Sequence, residues 1–154
     1  MKQILFIFCS LGCIISACSP AKKTNSSAVL QGIAGQITEF AGNQMPMKGA
    51  VPSEPRGILT TVFIYEPTHI SQVSRIGTSP AYTAINTKLV DSVQTDSTGA
   101  YTIALAPGSY SLFIKQGNRV YANLFDTNNT IALFTVEEGK LTKANLAVSS
   151  RANH

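Results

Sequence analysis

Apolar residues alternate with polar or small ones along most of the chain from Leu30 onward. A period of two is typical of strands that bury one face, whereas a helix places apolar residues at every third or fourth position. β-branched and aromatic residues, which favour strands, dominate these stretches. The pattern predicts an all-β fold, an antiparallel β-sandwich of about seven or eight strands. The predicted strands cover residues 31–38, 59–65, 88–95, 100–105, 110–114, 119–125, 129–136 and 141–148.

Two turn signals lie between the central strands. Asp96 is followed three residues later by Gly99, a spacing in which the carboxylate can accept backbone N–H groups while glycine takes a positive φ. Pro107-Gly108 separates the alternating residues 100–105 from 110–114, and this dipeptide favours a type II turn. The second signal predicts that the two strands beside it form a hairpin.

Two longer stretches lack the alternation and contain residues that interrupt strands. Residues 39–57 hold three prolines, and residues 66–86 are broken by Pro67, Gly77 and Pro80. We expect both to be irregular. Loops of this length in a compact domain are often functional.

The first eighteen residues carry a different pattern. Lys2 precedes about a dozen apolar and small residues, a run too short to cross a bilayer as a helix but typical of a secretory signal. Ile15-Ser16-Ala17-Cys18 resembles the lipobox of bacterial lipoproteins. The resemblance implies cleavage before Cys18, diacylation of its sulfur, and attachment to a membrane through acyl chains such as palmitate. The alternative is an ordinary secretory signal, with Cys18 left as a thiol or removed.

This interpretation divides the chain into a lipoprotein signal peptide (1–17), a lipid anchor and flexible tether (18–30), the sandwich (31–148) and a C-terminal tail (149–154). Cys9 and Cys13 lie in the signal, so the mature chain would keep one cysteine and no internal disulfide. Ser19, rather than Asp, follows Cys18; by resemblance to Gram-negative lipoproteins this favours the outer membrane. We expect the periplasm-facing leaflet, with surface exposure as the alternative.

Composition and charge narrow the classes of function. The 154 residues are enough for one domain, and 13% charged residues are too few for a disordered chain. The formal charge of +4 falls to +3 when Lys2 is removed with the signal, and Lys22-Lys23 is the only basic run. We therefore expect no nucleic-acid partner.

Three stretches resemble the carboxypeptidase regulatory-like group of transthyretin-type β-sandwiches. They are a Gly-x-hydrophobic first strand at 32–37, the strand at 61–65, and an Asp-x-x-Gly-x-aromatic pattern followed by alternating apolar residues and Pro-Gly-x-Tyr at 96–110. The resemblance spans about residues 31–148. It implies an accessory, stalk or binding module, because the active residues of the peptidases that such domains accompany lie elsewhere. This chain departs from the group by standing alone and by its longer 39–57 loop.

Candidate catalytic and metal-ligating residues are sparse. His69 and His154 have no partner at metal-ligand spacing, so no metal or other cofactor is expected. No Gly-x-Ser-x-Gly motif is present, and Glu137-Glu138 falls in a predicted turn, where consecutive carboxylates are usually solvated. We predict no catalytic residue; a hydrolase that uses His69 is the weaker alternative, and it requires a carboxylate and a hydroxyl beside His69 in a cleft.

Aromatic residues and two serines offer further candidates. Tyr65, Tyr82 and Tyr121 lie near loop ends, where an exposed ring could stack on a sugar or peptide, although packing in the core or at its rim is the commoner role. Asp91-Ser92-Val93 and Asp96-Ser97-Thr98 resemble a bacterial O-glycosylation acceptor. Ser97 is the better candidate because it lies in a turn, and Ser92 is the second.

These observations favour a non-enzymatic, membrane-anchored lipoprotein that serves as a binding or structural accessory module of the cell envelope, with an envelope protein or glycan as partner. A transthyretin-like carrier of small ligands is the alternative. It would require a buried apolar cavity or a channel between two copies.

Overall fold

The computed structural model describes residues 31–40, 54–75 and 77–149. The predicted signal peptide, Cys18, the tether, most of the 39–57 loop and residues 150–154 lie outside the described residues. Strands are the main regular structure of the described residues, with one turn of 3-10 helix at Ile70–Gln72, and they confirm the predicted all-β fold of two sheets. The strands are β1 (Gly32–Phe40), β2 (Arg56–Gly57), β3 (Thr61–Tyr65), β4 (Val73–Arg75), β5 (Ala81–Ile85), β6 (Leu89–Gln94), β7 (Ala100–Ala104), β8 (Gly108–Gln116), β9 (Arg119–Tyr121), β10 (Leu133–Val136), β11 (Leu141–Lys143) and β12 (Leu146–Ser149).

The larger sheet is antiparallel throughout and has the strand order β4-β5-β9-β8-β3-β6. Its central strand, β8, pairs with β3 on one side and with β9 and then β10 on the other. β6 lies at one edge of this sheet and β4 at the other.

The smaller sheet is built around β1. β7 and β2 pair with one side of β1 in the antiparallel direction, whereas β11 and β12 follow each other along the other side in the parallel direction. The chain bends between β11 and β12, where Ala144 comes very close to Gly35. A Cβ atom on Gly35 would lie 1.9 Å from the Ala144 carbonyl oxygen, so only glycine lets β1 pass this bend.

The core between the sheets collects the inward-facing residues of both. Tyr101 and Tyr121 are the largest of them, and the Tyr101 hydroxyl donates to the Ala144 carbonyl at 2.7 Å, so the polar atom of that ring is satisfied inside the core. Burial of these side chains is the main stabilising contribution to the fold. The core residues include Ile33, Ile37, Val62, Ile64, Tyr101, Ile103, Leu112, Ile114, Tyr121, Val136, Leu146 and Val148.

The predicted hairpin at Pro107-Gly108 is wrong. β7 pairs with β1 over five residues, whereas β8 pairs with β3, so the turn carries the chain from the smaller sheet to the larger one. Tyr110 closes this turn by donating its hydroxyl to the Ala106 carbonyl at 2.9 Å, as in a tyrosine corner. The turns at Asp96 and at Glu137 also cross between the sheets.

The expectation of an irregular stretch over residues 66–86 is also wrong in part. It contains the 3-10 turn and the strands β4 and β5, which pair with each other around Gly77. Pro67 and Pro80 lie outside these short strands, so they interrupt pairing only between elements.

Candidate binding groove

The two ends of the sandwich are distinguished by the turns that close them. At one end the described chain begins at Gln31, whose Oε1 accepts the Gly139 N–H at 2.9 Å. β8 starts beside β10, which leads into the Gly139 turn, and runs nine residues, about 30 Å, to the Gly117-Asn118 turn. The end that contains Gly117-Asn118 is called the distal end below.

The outer face of the larger sheet, turned away from the smaller sheet, carries a second apolar cluster. Along β3, Val62 and Ile64 belong to the core, whereas Phe63 and Tyr65 contribute to the outer cluster. Phe113 on β8 has no exposed surface although it lies on this outer face. It makes edge-to-face contacts with Tyr65 and Tyr82, with ring centroids 5.5 and 5.7 Å apart.

Part of the outer face is covered by the chain itself. Thr68 and Ser111 have no exposed surface, and the Thr68 N–H donates to Ser111 Oγ at 2.9 Å. The Thr68 carbonyl accepts the Ile131 N–H at 2.8 Å, so this pair also holds the segment that follows Asp126. Buried polar groups paired in this way specify one position of the cover over the sheet.

β5 separates from β9 after two residues, although it stays paired with β4 as far as Ile85. Only Ala81 and Tyr82 pair with β9, and further along the chain the Lys88 carbonyl accepts the Glu66 N–H at 3.0 Å, beside β3 and β6. From Thr83 onward the chain therefore crosses the outer face of the sheet instead of continuing beside β9. Beyond this crossing, toward the distal end, the outer face stays open.

The opening is a groove of about 390 Å³, within the range of small-molecule sites. Aromatic and aliphatic side chains form much of its lining: Phe63, Tyr65, Tyr82, Ile85 and Val120. Among the residues that the structure describes, Lys115 and Arg119 are the only charged ones in its lining, and none of the lining residues is a carboxylate.

A second depression lies on the other side of Lys115, and most of its lining residues are polar. It is lined by Leu59, Thr60, Thr61 and Gln94 together with Lys115, and it also has a volume of about 390 Å³. Because Lys115 and Gly117 line both depressions, the two are neighbours. Together they form what we call the distal groove.

The polar groups of the distal groove are available to a ligand. Within the described ranges, the side chains of Lys115, Thr61 and Gln94 form no hydrogen bond and no ion pair. The two ion pairs found there join other residues, Arg56 to Glu39 and Lys140 to Glu137. Lys115 follows Ile114, which points into the core, so the alternation places Lys115 on the outer face opposite Val120. The groove thus combines a cation, unpaired polar groups and an apolar wall.

The three tyrosines predicted near loop ends differ in environment. Tyr65 is half-buried and lines the groove, as a stacking residue should. Tyr82 has no exposed surface and Tyr121 lies in the core between the sheets, so these two have the packing role that was the commoner one and not an exposed ring. Burial raises the pKa of both hydroxyls, and at Tyr82 the nearby Arg75 charge opposes that rise.

The two candidate glycosylation serines are both exposed. Ser97 lies in the turn that Asp96 closes by accepting the N–H groups of Thr98 and Ala100, at 2.8 and 3.0 Å. The Thr98 hydroxyl, followed by the Ala100 and Thr98 N–H groups, lowers the pKa of Asp96. Ser92 lies instead on the edge strand β6, and its N–H donates to the Asp91 carboxylate at 2.7 Å.

His69 lies before the 3-10 turn. Its Nδ1 accepts the Ser71 N–H at 3.1 Å and lies 2.8 Å from Ser71 Oγ. The Asp126 carboxylate accepts the N–H groups of Thr130 and Asn128. The Thr130 N–H is the leading cause of the lowered pKa of Asp126, and the nearby His69 contributes least. A hydroxyl and a carboxylate therefore lie near His69, each engaged in a local turn, which supports a capping role for all three.

Glu137 and Glu138 are both exposed in the turn before β11, as predicted. Glu137 pairs with Lys140, and this hydrogen-bonded partner lowers the pKa of Glu137. The described residues contain no group of three His, Cys, Asp or Glu side chains placed to hold a metal ion. No helix in the described part of the chain is long and apolar enough to cross a membrane.

The fold and the groove define an all-β domain of two sheets with an open, cationic depression on one outer face. Comparisons with protein-family models, with curated proteins and with solved structures each found no match.

Sequence reasoning missed Lys115 and Phe63 as groove residues. One signal was present: apolar residues occupy both alternations of 61–65 and of 110–114, a pattern typical of strands covered on both faces. That pattern indicates a second apolar face. It does not indicate where the cover of that face ends.

Proposed function

We propose that this chain is a non-enzymatic lipoprotein of the cell envelope, anchored to the outer membrane by acyl chains on Cys18, which binds an envelope component in the distal groove. The observation that carries the proposal is the position of the groove at the end of the sandwich opposite Gln31. A domain tethered through its first residues presents that end away from the membrane.

The length of chain between Cys18 and Gln31 supports this arrangement. Twelve residues separate them, which could reach about 40 Å if fully extended. The sandwich adds about 30 Å along β8 before the Gly117-Asn118 turn. A groove at that height would be accessible to components of the envelope beyond the lipid headgroups.

The character of the groove favours binding over catalysis. It combines an apolar wall with one central ammonium group, which suits recognition of an amphipathic or partly anionic ligand. The groove is open to solvent, whereas the carrier alternative calls for a buried apolar cavity or a channel between two copies. The resemblance to carboxypeptidase regulatory-like modules points in the same direction, since that group is typically accessory.

The anchor is tested by substituting Cys18→Ser in the full chain expressed in a Gram-negative host. The expected result is loss of labelling by an alkyne-tagged palmitate and release from the membrane fraction, or accumulation of the uncleaved precursor. Cys13→Ser is the matched control, because it removes a thiol of the same predicted signal and should leave labelling unchanged. Undiminished labelling of Cys18→Ser would reject the anchor.

The binding role is tested by photo-crosslinking in intact cells. A benzoylphenylalanine in place of Asn118, at the rim of the groove, should give a discrete envelope adduct. The same residue in place of Thr102, exposed on β7 of the smaller sheet, should not. Equal adducts from both positions, or none from Asn118, would contradict a binding role for this groove.

A further inference from the structure

We infer that the ligand of the distal groove is an acidic saccharide, whose carboxylate or phosphate pairs with Lys115 while its sugar rings occupy the depressions on either side. This inference rests on the proposed function and names the class of ligand.

Charge complementarity is the first argument. The described residues that line the groove include two cations, Lys115 and Arg119, and no carboxylate. Neither cation has an ion-pair partner in the described part of the chain. An anionic group would therefore supply the missing counter-charge, and hydrogen bonds between charged partners are stronger than neutral ones.

The two cations differ in placement. Lys115 shares the outer face with its cross-strand partner Val120, whereas Arg119 is the cross-strand partner of Gln116 at the hairpin turn. Lys115 also lines both depressions, and Arg119 only one. Lys115 should therefore contribute more to binding than Arg119.

The polar side chains in the second depression favour a saccharide over other anions. Thr61 and Gln94 are cross-strand partners in β3 and β6, and their hydroxyl and amide groups have no partner within the described residues. These groups both donate and accept hydrogen bonds, as the hydroxyls of a sugar require. The acyl chain of a fatty acid would offer neither group a hydrogen-bond partner.

The first depression offers apolar side chains against which a sugar ring can pack. Phe63 and Tyr65 are half-buried on the open part of the outer face, and Val120 lies beside them. Flat apolar side chains of this kind can contact the C–H face of a sugar ring while its hydroxyls point to water. A ring on each side of Lys115 corresponds to a short oligosaccharide.

The test is calorimetric titration of the full-length protein, purified from membranes in a mild detergent. The probes are trigalacturonic acid, the uncharged galactotriose, galactose 1-phosphate and triglutamate. Trigalacturonic acid should bind at least about tenfold more tightly than galactotriose, since a charged hydrogen bond contributes about 1.5–3 kcal/mol. Measurable binding of galactose 1-phosphate would identify phosphate, and its absence carboxylate, as the preferred anion.

Variants assign the contacts. Lys115→Gln should weaken binding of trigalacturonic acid by about tenfold or more, and Arg119→Gln by less. Phe63→Leu should weaken it several-fold by removing the flat ring while keeping an apolar side chain. Lys143→Gln, an exposed cation on β11 of the smaller sheet, is the matched control and should change nothing. An unchanged thermal midpoint verifies that Lys115→Gln is folded.

Three results would overturn the inference: equal affinity for galactotriose, equal affinity for triglutamate, or full affinity in Lys115→Gln. Absence of binding to all the saccharides would also overturn it. If the Asn118 crosslink still forms in cells, only the class of ligand is wrong. If that crosslink is absent too, the proposed function fails with it.

Discussion

The two faces of the larger sheet are buried by different means. Leu112 and Phe113 are neighbours on β8 and point to opposite faces, yet neither has any exposed surface. A second sheet covers the inner face, whereas the outer face is covered by the crossing of β5 and by the segments around Thr68 and Ile131. Burial of a residue therefore does not reveal what covers it. The irregular cover ends before the sheet does, and the groove lies where it ends.

The largest test of this comparison substitutes each neighbour in turn. Leu112→Ala should lower the free energy of unfolding by about 2–5 kcal/mol and Phe113→Ala by about 3–5 kcal/mol, because both leave a cavity in a packed cluster. Urea unfolding monitored by far-UV circular dichroism measures both. A cost below about 1 kcal/mol for Phe113→Ala would mean that the outer cover is loose in solution.

Polar groups inside each cluster provide a smaller test. Tyr101→Phe leaves the Ala144 carbonyl unpaired in the inner core, and Ser111→Ala leaves the Thr68 N–H unpaired under the outer cover. Each should cost about 1–3 kcal/mol, since a buried unsatisfied group loses its hydrogen bond without regaining water. Ser109→Ala is the control.

The Ser109 hydroxyl is exposed and lies 3.0 Å from Thr135 Oγ1, so its loss should cost no more than about 0.5 kcal/mol. The same unfolding curves give all three values. If Ser111→Ala behaves like Ser109→Ala, the Thr68 contact does not hold the outer cover in place.

Alkaline pH should affect both clusters, the inner one more. Burial raises the pKa of Tyr101, so its neutral form stabilises the fold below the unfolded value of about 10, and this stabilisation is lost as pH rises through the folded pKa. The pKa of Tyr82 is also raised by burial, but the Arg75 charge opposes it. Tyr101→Phe should therefore flatten the decline of stability between about pH 10 and 12 more than Tyr82→Phe. Stability measured across that range in both variants decides the order.

The smallest effects are expected at acid pH. Hydrogen bonds lower the pKa of Asp96, in a turn between the sheets, and of Asp126, in the loop over the outer face, with the Thr98 hydroxyl and the Thr130 N–H as the leading causes. Each carboxylate therefore stabilises the fold above the unfolded pKa of about 4, and the stabilisation is lost as pH falls below that value.

Asp96→Asn and Asp126→Asn should each reduce the loss of folding stability at acid pH. Asp126→Asn should act mainly on the segments that cover the outer face. Amide exchange of Ile131, measured near pH 4 in both variants, would detect this difference. Equal protection of that amide in the two variants would contradict a separate role for the Asp126 loop.

The turns illustrate what can be predicted from neighbouring residues. Asp96 accepts the backbone N–H groups expected of it, and Gly99 takes a positive φ of 81°, because both requirements are local. The hairpin predicted at Pro107-Gly108 is wrong because a turn specifies that the chain bends but not which strand the next segment joins. β7 pairs with β1, and β8 pairs with β3.

The candidate site was predicted less well than the fold. Tyr65, a candidate for stacking, lines the groove, whereas Tyr82 and Tyr121 are buried by neighbouring strands that the local pattern does not reveal. Lys115 carried no signal, because a lysine on the outer alternation of a strand is ordinary. Lys115 lines the groove because the chain crosses the outer face after β5, and the sequence pattern of residues 81–85 does not predict that crossing.

The sequence alone determined most of the segments that become strands, with β4 and β5 as exceptions, and where the chain turns between them, because these follow from steric preference and hydrogen bonds between near neighbours. The tertiary structure decided the pairing of strands, the parallel approach of β11 and β12 to β1, and the departure of β5 from β9. Those choices depend on how residues far apart in the chain pack against each other. The distal groove was also decided by the tertiary structure, since it lies where the crossing that follows β5 no longer covers the outer face of the larger sheet.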